Sequence, residues 1–129
     1  MMRSIFLSCG SYLPSRCLSN DDLIKLTKLD SSDEWIRQRT GIAKRHFADE
    51  GETTSDMAVK AATSALKNAG LSIKDIDAIV LATTTPDDRV PATATRVQAK
   101  LGMTHGFAVD ANAACSGFIY ALTMADNFI

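Results

Sequence analysis

The most restrictive feature of this sequence is the run Ala-Ile-Val-Leu-Ala at positions 78–82. Five apolar residues without alternation are typical of a strand that is covered on both faces, and such strands belong to parallel sheets. Parallel neighbours must be joined by a crossover, which is usually a helix. With further short strands predicted at Ser4–Cys9 and Phe107–Val109, the chain is expected to form a layered α/β domain of βαβαβα order with a mostly parallel sheet.

Clear start and stop signals define the predicted helices. The strongest helix runs from Asp56 to Ala69, with an alanine-rich face, a Thr54 or Ser55 cap and Gly70 at its end. Three other helices are predicted on weaker signals. They are Leu23–Thr27 after Asn20, Asp21 and Asp22; a turn around Trp35 after a Ser31 or Ser32 cap; and a helix from Pro91 to Leu101.

Composition excludes several classes of function. The chain has 129 residues and a formal net charge of −1, with no Lys/Arg cluster, which argues against nucleic acid or an anionic membrane surface as a partner. No apolar run approaches the roughly 18 residues of a membrane span. Three cysteines without C-x-x-C pairing, and only two histidines, give no metal-site pattern and favour free thiols in the cytoplasm.

Cys115 is the candidate nucleophile. It lies in Ala113-Ala114-Cys115-Ser116-Gly117, after a predicted buried strand and at or near the start of a helix. A strand–turn–helix elbow presents a nucleophile at a sheet edge, and the amino end of a helix stabilises a thiolate. The small neighbours leave room for an acyl group. Positioning and an oxyanion hole that includes the Cys115 backbone N–H are expected to supply most of the catalysis.

The other reactive residue types have weaker positions. From spacing alone Cys115 also fits a small buried hydrophobe, and this is the preferred interpretation for Cys9 in the predicted first strand and for Cys17 in a predicted loop. His105 precedes the strand that leads to the elbow, so it is expected at the opposite end of that strand from Cys115. Residues 115–129 form a helix that is apolar on nearly all sides, which predicts an incompletely covered face.

Four motifs in register identify a family resemblance. The run Trp35-Ile36-Arg37-Gln38-Arg39-Thr40-Gly41-Ile42 resembles the W-I-x-x-R-T-G-I signature of the β-ketoacyl-acyl-carrier-protein synthases III. The other three motifs, in the same order as in that family, are Gly10-Ser11-Tyr12-Leu13-Pro14, Ala82-Thr83-Thr84-Thr85 and Ala113-Ala114-Cys115-Ser116-Gly117-Phe118.

The resemblance implies roles for single residues. Cys115 corresponds to the family's acylated cysteine. Trp35 resembles the tryptophan that stacks on the adenine of coenzyme A, Arg39 the arginine beside the nucleotide, and Ser31 a hydroxyl residue near it. Val90 corresponds to a residue that reaches across a homodimer to close the partner's acyl pocket. Without the resemblance, Trp35 also fits a helix anchor and Val90 an apolar loop residue.

The resemblance also implies a fold and a reaction. The fold is thiolase-like, and residues 1–129 are its amino-terminal half-domain. The reaction transfers an acyl group, expected to be acetyl, from acyl-coenzyme A to the cysteine and condenses it with malonyl-acyl carrier protein, without a cofactor. The family's catalytic His and Asn lie in the second half-domain, so this chain alone is expected to be inactive in condensation.

Two alternatives remain at this point. One is a related thiolase-fold enzyme, of the HMG-CoA synthase or polyketide synthase type. The other is a non-catalytic product that binds coenzyme A or a partner subunit.

Overall fold

A computed structural model describes residues 4–129 of the chain. The chain divides into two compact units. The small unit is Leu13–Glu52, and the large unit is formed by the described residues before Leu13 together with Thr53–Ile129.

The small unit is an antiparallel strand pair with two helices between the strands. Its elements are β1 (Arg16–Ser19), α1 (Asn20–Thr27), α2 (Asp33–Thr40) and β2 (Lys44–Phe47). The register runs from Arg16 opposite Phe47 to Ser19 opposite Lys44. Ser19 caps α1, Ser32 caps α2, and Gly41 ends α2 in the left-handed region at φ 71°.

A fully buried asparagine holds the small unit together. The side-chain amide of Asn20 donates to the Asp33 carboxylate and to the Ile42 carbonyl, at 2.8 Å in each case. Its carbonyl oxygen accepts from Arg45 Nη1 at 2.8 Å. Every side-chain polar atom is therefore paired, as burial of an amide requires.

The large unit contains the parallel sheet. Its elements are α3 (Thr54–Ala69), β3 (Ala78–Ala82), α4 (Thr93–Leu101), β4 (Phe107–Ala111) and α5 (Gly117–Asn127), with 3₁₀ turns at Ile73–Asp75 and Ala114–Ser116. β3 and β4 pair in parallel from Ala78 beside Phe107 to Ala82 beside Ala111. The crossover through α4 is the βαβ unit that the apolar run predicts, so this prediction is confirmed.

The two faces of this sheet carry different helices. The Asp110 side chain points to the start of α4, so the even positions of β4 face α4. Ala78, Val80 and Ala82 of β3 lie on the opposite face, against α5. The arrangement is helix, sheet, helix, and α3 packs beside α4.

The predicted strand at Ser4–Cys9 is wrong for the described residues. This segment pairs with no strand; it lies along α3, where Ser8 Oγ donates to the Ala65 carbonyl at 2.7 Å and Asn68 Nδ2 donates to the Cys9 carbonyl at 2.8 Å. A strand needs a neighbour for its backbone groups, and here a helix supplies partners instead. Cys9 is therefore not in a strand, and the prediction that Cys9 and Cys17 are buried is wrong, because both are exposed.

Cys17 is not in a loop, contrary to prediction, but in β1. β1 has the sequence Arg-Cys-Leu-Ser, which lacks strong strand propensity, and its backbone groups are satisfied by pairing with β2. Smaller corrections concern helix starts. α3 begins at Thr54 with Thr53 as its cap, and α4 begins at Thr93, two residues after Pro91.

Candidate active site

Cys115 lies on a tight turn between a strand and a helix. β4 ends at Ala111, a 3₁₀ turn covers Ala114–Ser116, and α5 begins at Gly117. Ala114 has φ 44°, in the left-handed region that a non-glycine residue rarely occupies. Such a residue beside a reactive side chain is typical of functional turns. The turn leaves Cys115 exposed.

Gly117 allows α5 to start close to the sheet. It is buried, and a Cβ at this position would lie 3.3 Å from the Ala82 Cβ of β3. That separation is tighter than most real Cβ contacts, so a side chain would push the helix away from the strand. The small residue therefore fixes the amino end of α5, and with it Cys115, at the carboxyl edge of the sheet.

An apolar groove of about 1200 Å³ includes Cys115. The residues at the carboxyl ends of β3 and β4 line one end of it, and one face of α5 lines its wall. The members near Cys115 are Thr83, Thr84, Thr85, Ala113, Ala114, Gly117 and Phe118. The groove extends along the sheet as far as Asp75, and Cys115 lies at the end where ligand sites of α/β sheets occur.

The backbone at the turn offers a donor. The hydrogen bonds of the 3₁₀ turn are donated by Ser116 N to the Ala113 carbonyl at 3.0 Å and by Gly117 N to the Ala114 carbonyl. The Cys115 N–H precedes both and takes part in neither. That this N–H donates to an oxyanion at the thiol stays a prediction.

His105, the histidine of the large unit, is not placed as a base for Cys115. His105 precedes β4, and its Nε2 lies 3.7 Å from the Asp77 carboxylate, which precedes β3. Both residues are at the amino ends of the parallel strands, whereas Cys115 follows the carboxyl end of β4. The predicted position of His105 is confirmed. His46 belongs to the small unit, where its Nδ1 lies 2.6 Å from the Pro14 carbonyl.

Trp35 and Arg39 form a pair on α2, in the small unit. The Arg39 guanidinium carbon lies 4.9 Å from the centre of the Trp35 ring, within the range of a cation–π contact. The ring is 52% exposed, so it is not a core anchor. One helical turn separates the two residues, as expected for a stacking and charge clamp.

Ser31 lies just before the same helix. Its Oγ is buried and has no hydrogen-bond partner among the described residues, while its backbone N–H donates to the Leu29 carbonyl at 3.0 Å. Asp33, two residues on, is bound by Asn20 and by Arg37 at 2.7 Å; these hydrogen bonds, the one from Asn20 first, hold the pKa of its carboxyl below the ordinary value.

Val90 lies in the large unit, on the loop between β3 and α4. Its side chain is 85% exposed, and the peptide bond to Pro91 is cis. Cys115 and Val90 thus belong to one compact unit, and Ser31, Trp35 and Arg39 to the other.

Sequence reasoning missed three polar residues of the large unit. Asp110 caps α4 from β4, and Asp87 and Thr93 hold the loop that carries Val90. One signal was present: Asp110 is the only charged residue in the apolar strand Phe-Ala-Val-Asp-Ala, and a charge in a buried strand requires a partner.

Solved and curated proteins resemble the chain over almost its whole length. No protein-family model matches it. The β-ketoacyl-[acyl-carrier-protein] synthase III of Rhodospirillum centenum is 57% identical over 99% of this chain and 39% of its own length. The crystal structure of 3-oxoacyl-[acyl-carrier-protein] synthase III from Aquifex aeolicus has a TM-score of 0.87 and 51% identity over 95% of this chain and 39% of that one.

The chain is similar over nearly its whole length to β-ketoacyl-[acyl-carrier-protein] synthases III. It spans about 39% of the length of the relatives that it matches, which are enzymes by name. The predicted resemblance and the thiolase-like α/β fold are confirmed. A priming β-ketosynthase of the R1128 polyketide pathway is also similar, with 37% identity over 97% of this chain, 37% of its own length and a TM-score of 0.87.

Two further observations concern ligands and membranes. Within residues 4–129, no three His, Cys, Asp or Glu side chains are grouped as metal ligands would be. The helices in that part of the chain are too short or too polar to cross a bilayer.

Proposed function

We propose that this chain forms part of a condensing acyltransferase that starts fatty acid synthesis, and that Cys115 is its acylated nucleophile. The observation that carries the proposal is the position of Cys115. Its thiol is exposed on a strained turn, inside an apolar groove and at the amino end of a helix. Cys9 and Cys17 are exposed as well, but of the three cysteines only Cys115 lines the groove, where a substrate can reach it.

The first step is transfer of an acyl group, which we propose to be acetyl. The Cys115 thiolate attacks the carbonyl carbon of the acyl-coenzyme A thioester, and the Cys115 N–H stabilises the oxyanion. The bond from that carbon to the sulfur of coenzyme A breaks, and the coenzyme A thiolate leaves and takes up a proton. A thioester on Cys115 remains, with no change of oxidation state.

The second step is condensation. Malonyl-acyl carrier protein loses CO₂, and the electron pair of the broken bond forms an enolate. The enolate carbon attacks the thioester on Cys115, and the cysteine sulfur leaves as a thiolate. The product is a β-ketoacyl thioester on the carrier protein. The family's His and Asn, which assist this step, have no counterpart among the residues proposed here.

The small unit is proposed to bind the nucleotide of coenzyme A. The exposed Trp35 ring offers a face to adenine, and the Arg39 charge beside it attracts phosphate. The Oγ of Ser31, just before that helix, is buried and has no partner among the described residues, and we propose that it lies beside the nucleotide. We also propose a cytoplasmic homodimer in which the exposed Val90 side chain closes the partner's acyl pocket.

Intact mass spectrometry after incubation with acetyl-coenzyme A tests the nucleophile. We expect one acetyl group per chain, absent in Cys115→Ala. The variants Cys9→Ala and Cys17→Ala are matched controls, because both cysteines are also exposed and should leave the acetylation unchanged. Acetyl transfer that persists in Cys115→Ala, or that is lost in either control, would contradict the assignment.

The similarity to a polyketide priming synthase favours one second candidate. A protein of that type would also form the Cys115 thioester, but it would prime a polyketide rather than a fatty acid. Comparing acyl-coenzyme A primers and carrier-protein acceptors in the complete enzyme that contains this chain separates the two, since only the preferred primer and acceptor differ.

A further inference from the structure

The loop between β3 and α4, residues 83–92, connects the Cys115 groove to Val90. Thr83, Thr84 and Thr85 at its start line the groove, and Val90 near its end is exposed. None of its residues is in a helix or strand. Ten residues without regular structure lose much conformational entropy when they take one conformation, so specific contacts must hold them.

Asp87 lies in the middle of this loop and binds both neighbouring helices at their amino ends. Its Oδ1 accepts from the Ser55 N–H of α3 at 3.0 Å, and its backbone N–H donates to Thr93 Oγ1 of α4 at 2.9 Å. Ser55 and Thr93 are both fully buried. A negative charge at the first turn of α3 also suits the helix dipole.

The two residues that hold Asp87 are themselves fixed. Thr93 N–H donates to the Asp110 carboxylate at 2.8 Å, and Ser55 Oγ accepts from Lys100 Nζ at 2.6 Å. Lys100 also binds Asp56 at 2.7 Å. Asp87 therefore joins the middle of the loop to a hydrogen-bonded network that links α3, α4 and β4, whereas the start of the loop is held by Thr54 Oγ1, which donates to the Thr85 carbonyl at 2.6 Å.

The protonation state of Asp87 agrees with this role. Burial raises the pKa of its carboxyl, but the hydrogen bonds from Ser55 and Thr53 and the charge of Lys100 outweigh burial and leave the pKa below its ordinary value. The residue is therefore an anion at neutral pH, and its charge strengthens the bond from the Ser55 N–H.

We propose that Asp87 is a positioning residue that holds the β3–α4 loop in the conformation that keeps its threonines beside Cys115 and presents Val90. The consequence for acyl selection rests on the proposed function of Val90. The consequence for the order of the loop does not, because it follows only from the contacts of Asp87.

Hydrogen exchange of the 129-residue chain tests the order of the loop. In Asp87→Ala we expect exchange of the peptide covering 83–92 to rise about tenfold, the scale of one or two lost hydrogen bonds. Exchange in β1 and β2 should not change. Asp87→Asn keeps an oxygen that can accept from Ser55, so it should restore part of the protection. Trypsin cleavage after the exposed Arg89 should follow the same order of variants.

Asp88→Ala is the matched control, because Asp88 is the adjacent carboxylate and pairs only with Arg96 on the surface among the contacts described. Because Arg96 belongs to α4, this exposed pair also joins the loop to a helix, but Asp88→Ala should raise loop exchange much less than Asp87→Ala does. Equal exchange of 83–92 in the native chain and in Asp87→Ala would overturn the proposal. If Asp87→Ala loses exchange protection throughout β4, that variant no longer reports on the loop alone. Exchange of 83–92 in Asp87→Asn is then compared with exchange in Asp88→Ala, and equal exchange in these two variants would overturn the proposal.

Primer selection then separates this inference from the proposed function. In the complete enzyme, Asp87→Ala should reduce the preference in kcat/KM between short and long acyl-coenzyme A primers, with Asp87→Asn intermediate. If Asp87→Ala increases exchange of the loop but leaves the primer preference unchanged, Asp87 positions the loop and Val90 has no role in the acyl pocket. If Asp87→Ala leaves exchange of the loop unchanged, the positioning role of Asp87 is refuted.

Discussion

Replacing Asp110 by alanine should destabilise the large unit. The two oxygens of Asp110 accept from the N–H groups of Thr93 at 2.8 Å and Ala94 at 2.7 Å, the first two residues of α4. The local cap position is Ala92, which has no side-chain acceptor. Asp110 is therefore the cap of α4, supplied from the neighbouring strand.

The magnitude follows from burial. Thr93 and Ala94 are fully buried, so water cannot take the place of the carboxylate. Loss of a cap costs about 0.5–2 kcal/mol, and each buried donor left without a partner about 1–3 kcal/mol. Because the helix end can relax, we expect about 2–4 kcal/mol for Asp110→Ala. For a domain of this length, about 3–6 °C per kcal/mol gives a fall in Tm of roughly 6–24 °C.

Thermal and urea unfolding of the 129-residue chain, followed by circular dichroism at one matched protein concentration, measures this loss. Asp110→Asn keeps one acceptor and should lose about half as much. Asp77→Ala is the control, because the Asp77 side chain is 93% exposed and its change should stay within about 0.5 kcal/mol. If Asp110→Ala and Asp77→Ala unfold at the same midpoint, the capping argument is refuted.

Three other predictions concern binding, specificity and pH. Trp35→Ala should weaken coenzyme A binding by about 1–3 kcal/mol, which is a rise of roughly 5- to 150-fold in the Kd measured by calorimetry. Trp35→Phe should have an intermediate Kd, and an unchanged Kd in Trp35→Ala would indicate a purely structural role for Trp35. Val90→Phe should shorten the longest acyl-coenzyme A accepted by the complete enzyme, and indifference in a primer competition assay would remove Val90 from the pocket. The Lys100 and Thr53 hydrogen bonds hold the pKa of Asp56 below its ordinary 3.8, so its contribution to stability is complete above that value and is lost as the pH falls further. The midpoint of thermal unfolding should therefore fall less steeply with decreasing pH in Asp56→Asn than in the native chain. Identical slopes in the two proteins would contradict this.

The features that sequence reasoning predicted correctly depend on neighbouring residues. The left-handed end of α3 at Gly70 and the start of α2 after Ser32 follow from cap residues within one helical turn. The parallel pairing of β3 follows from its continuous apolar run. The Cys115 elbow also follows from local sequence, since a strand, small residues and a helix occur within ten positions.

The features that it missed depend on distant partners. Asp110 caps α4 across 16 and 17 positions, and Asp87 binds Ser55 across 32. The segment Ser4–Cys9 has strand-like composition, but it pairs with no described strand and lies along α3 instead. Conversely, β1 has little propensity and exists through its pairing with β2. Local pattern is insufficient wherever the partner of a polar group is set by the tertiary fold.

The exposed face of α5 supports a final prediction, that the 129-residue chain associates with itself. Phe118, Ile119 and Tyr120, at the amino end of α5, are each about 60% exposed, and large exposed apolar side chains close together favour association. Sedimentation velocity should therefore show association that increases with concentration. Replacing Phe118 and Ile119 by serine should reduce it, whereas Leu26→Ser, which removes an equally exposed leucine from α1 in the small unit, should not. A monomer at all concentrations would show that this face is too small to drive association. An equal effect of Leu26→Ser would show that general surface hydrophobicity, rather than α5, is the cause.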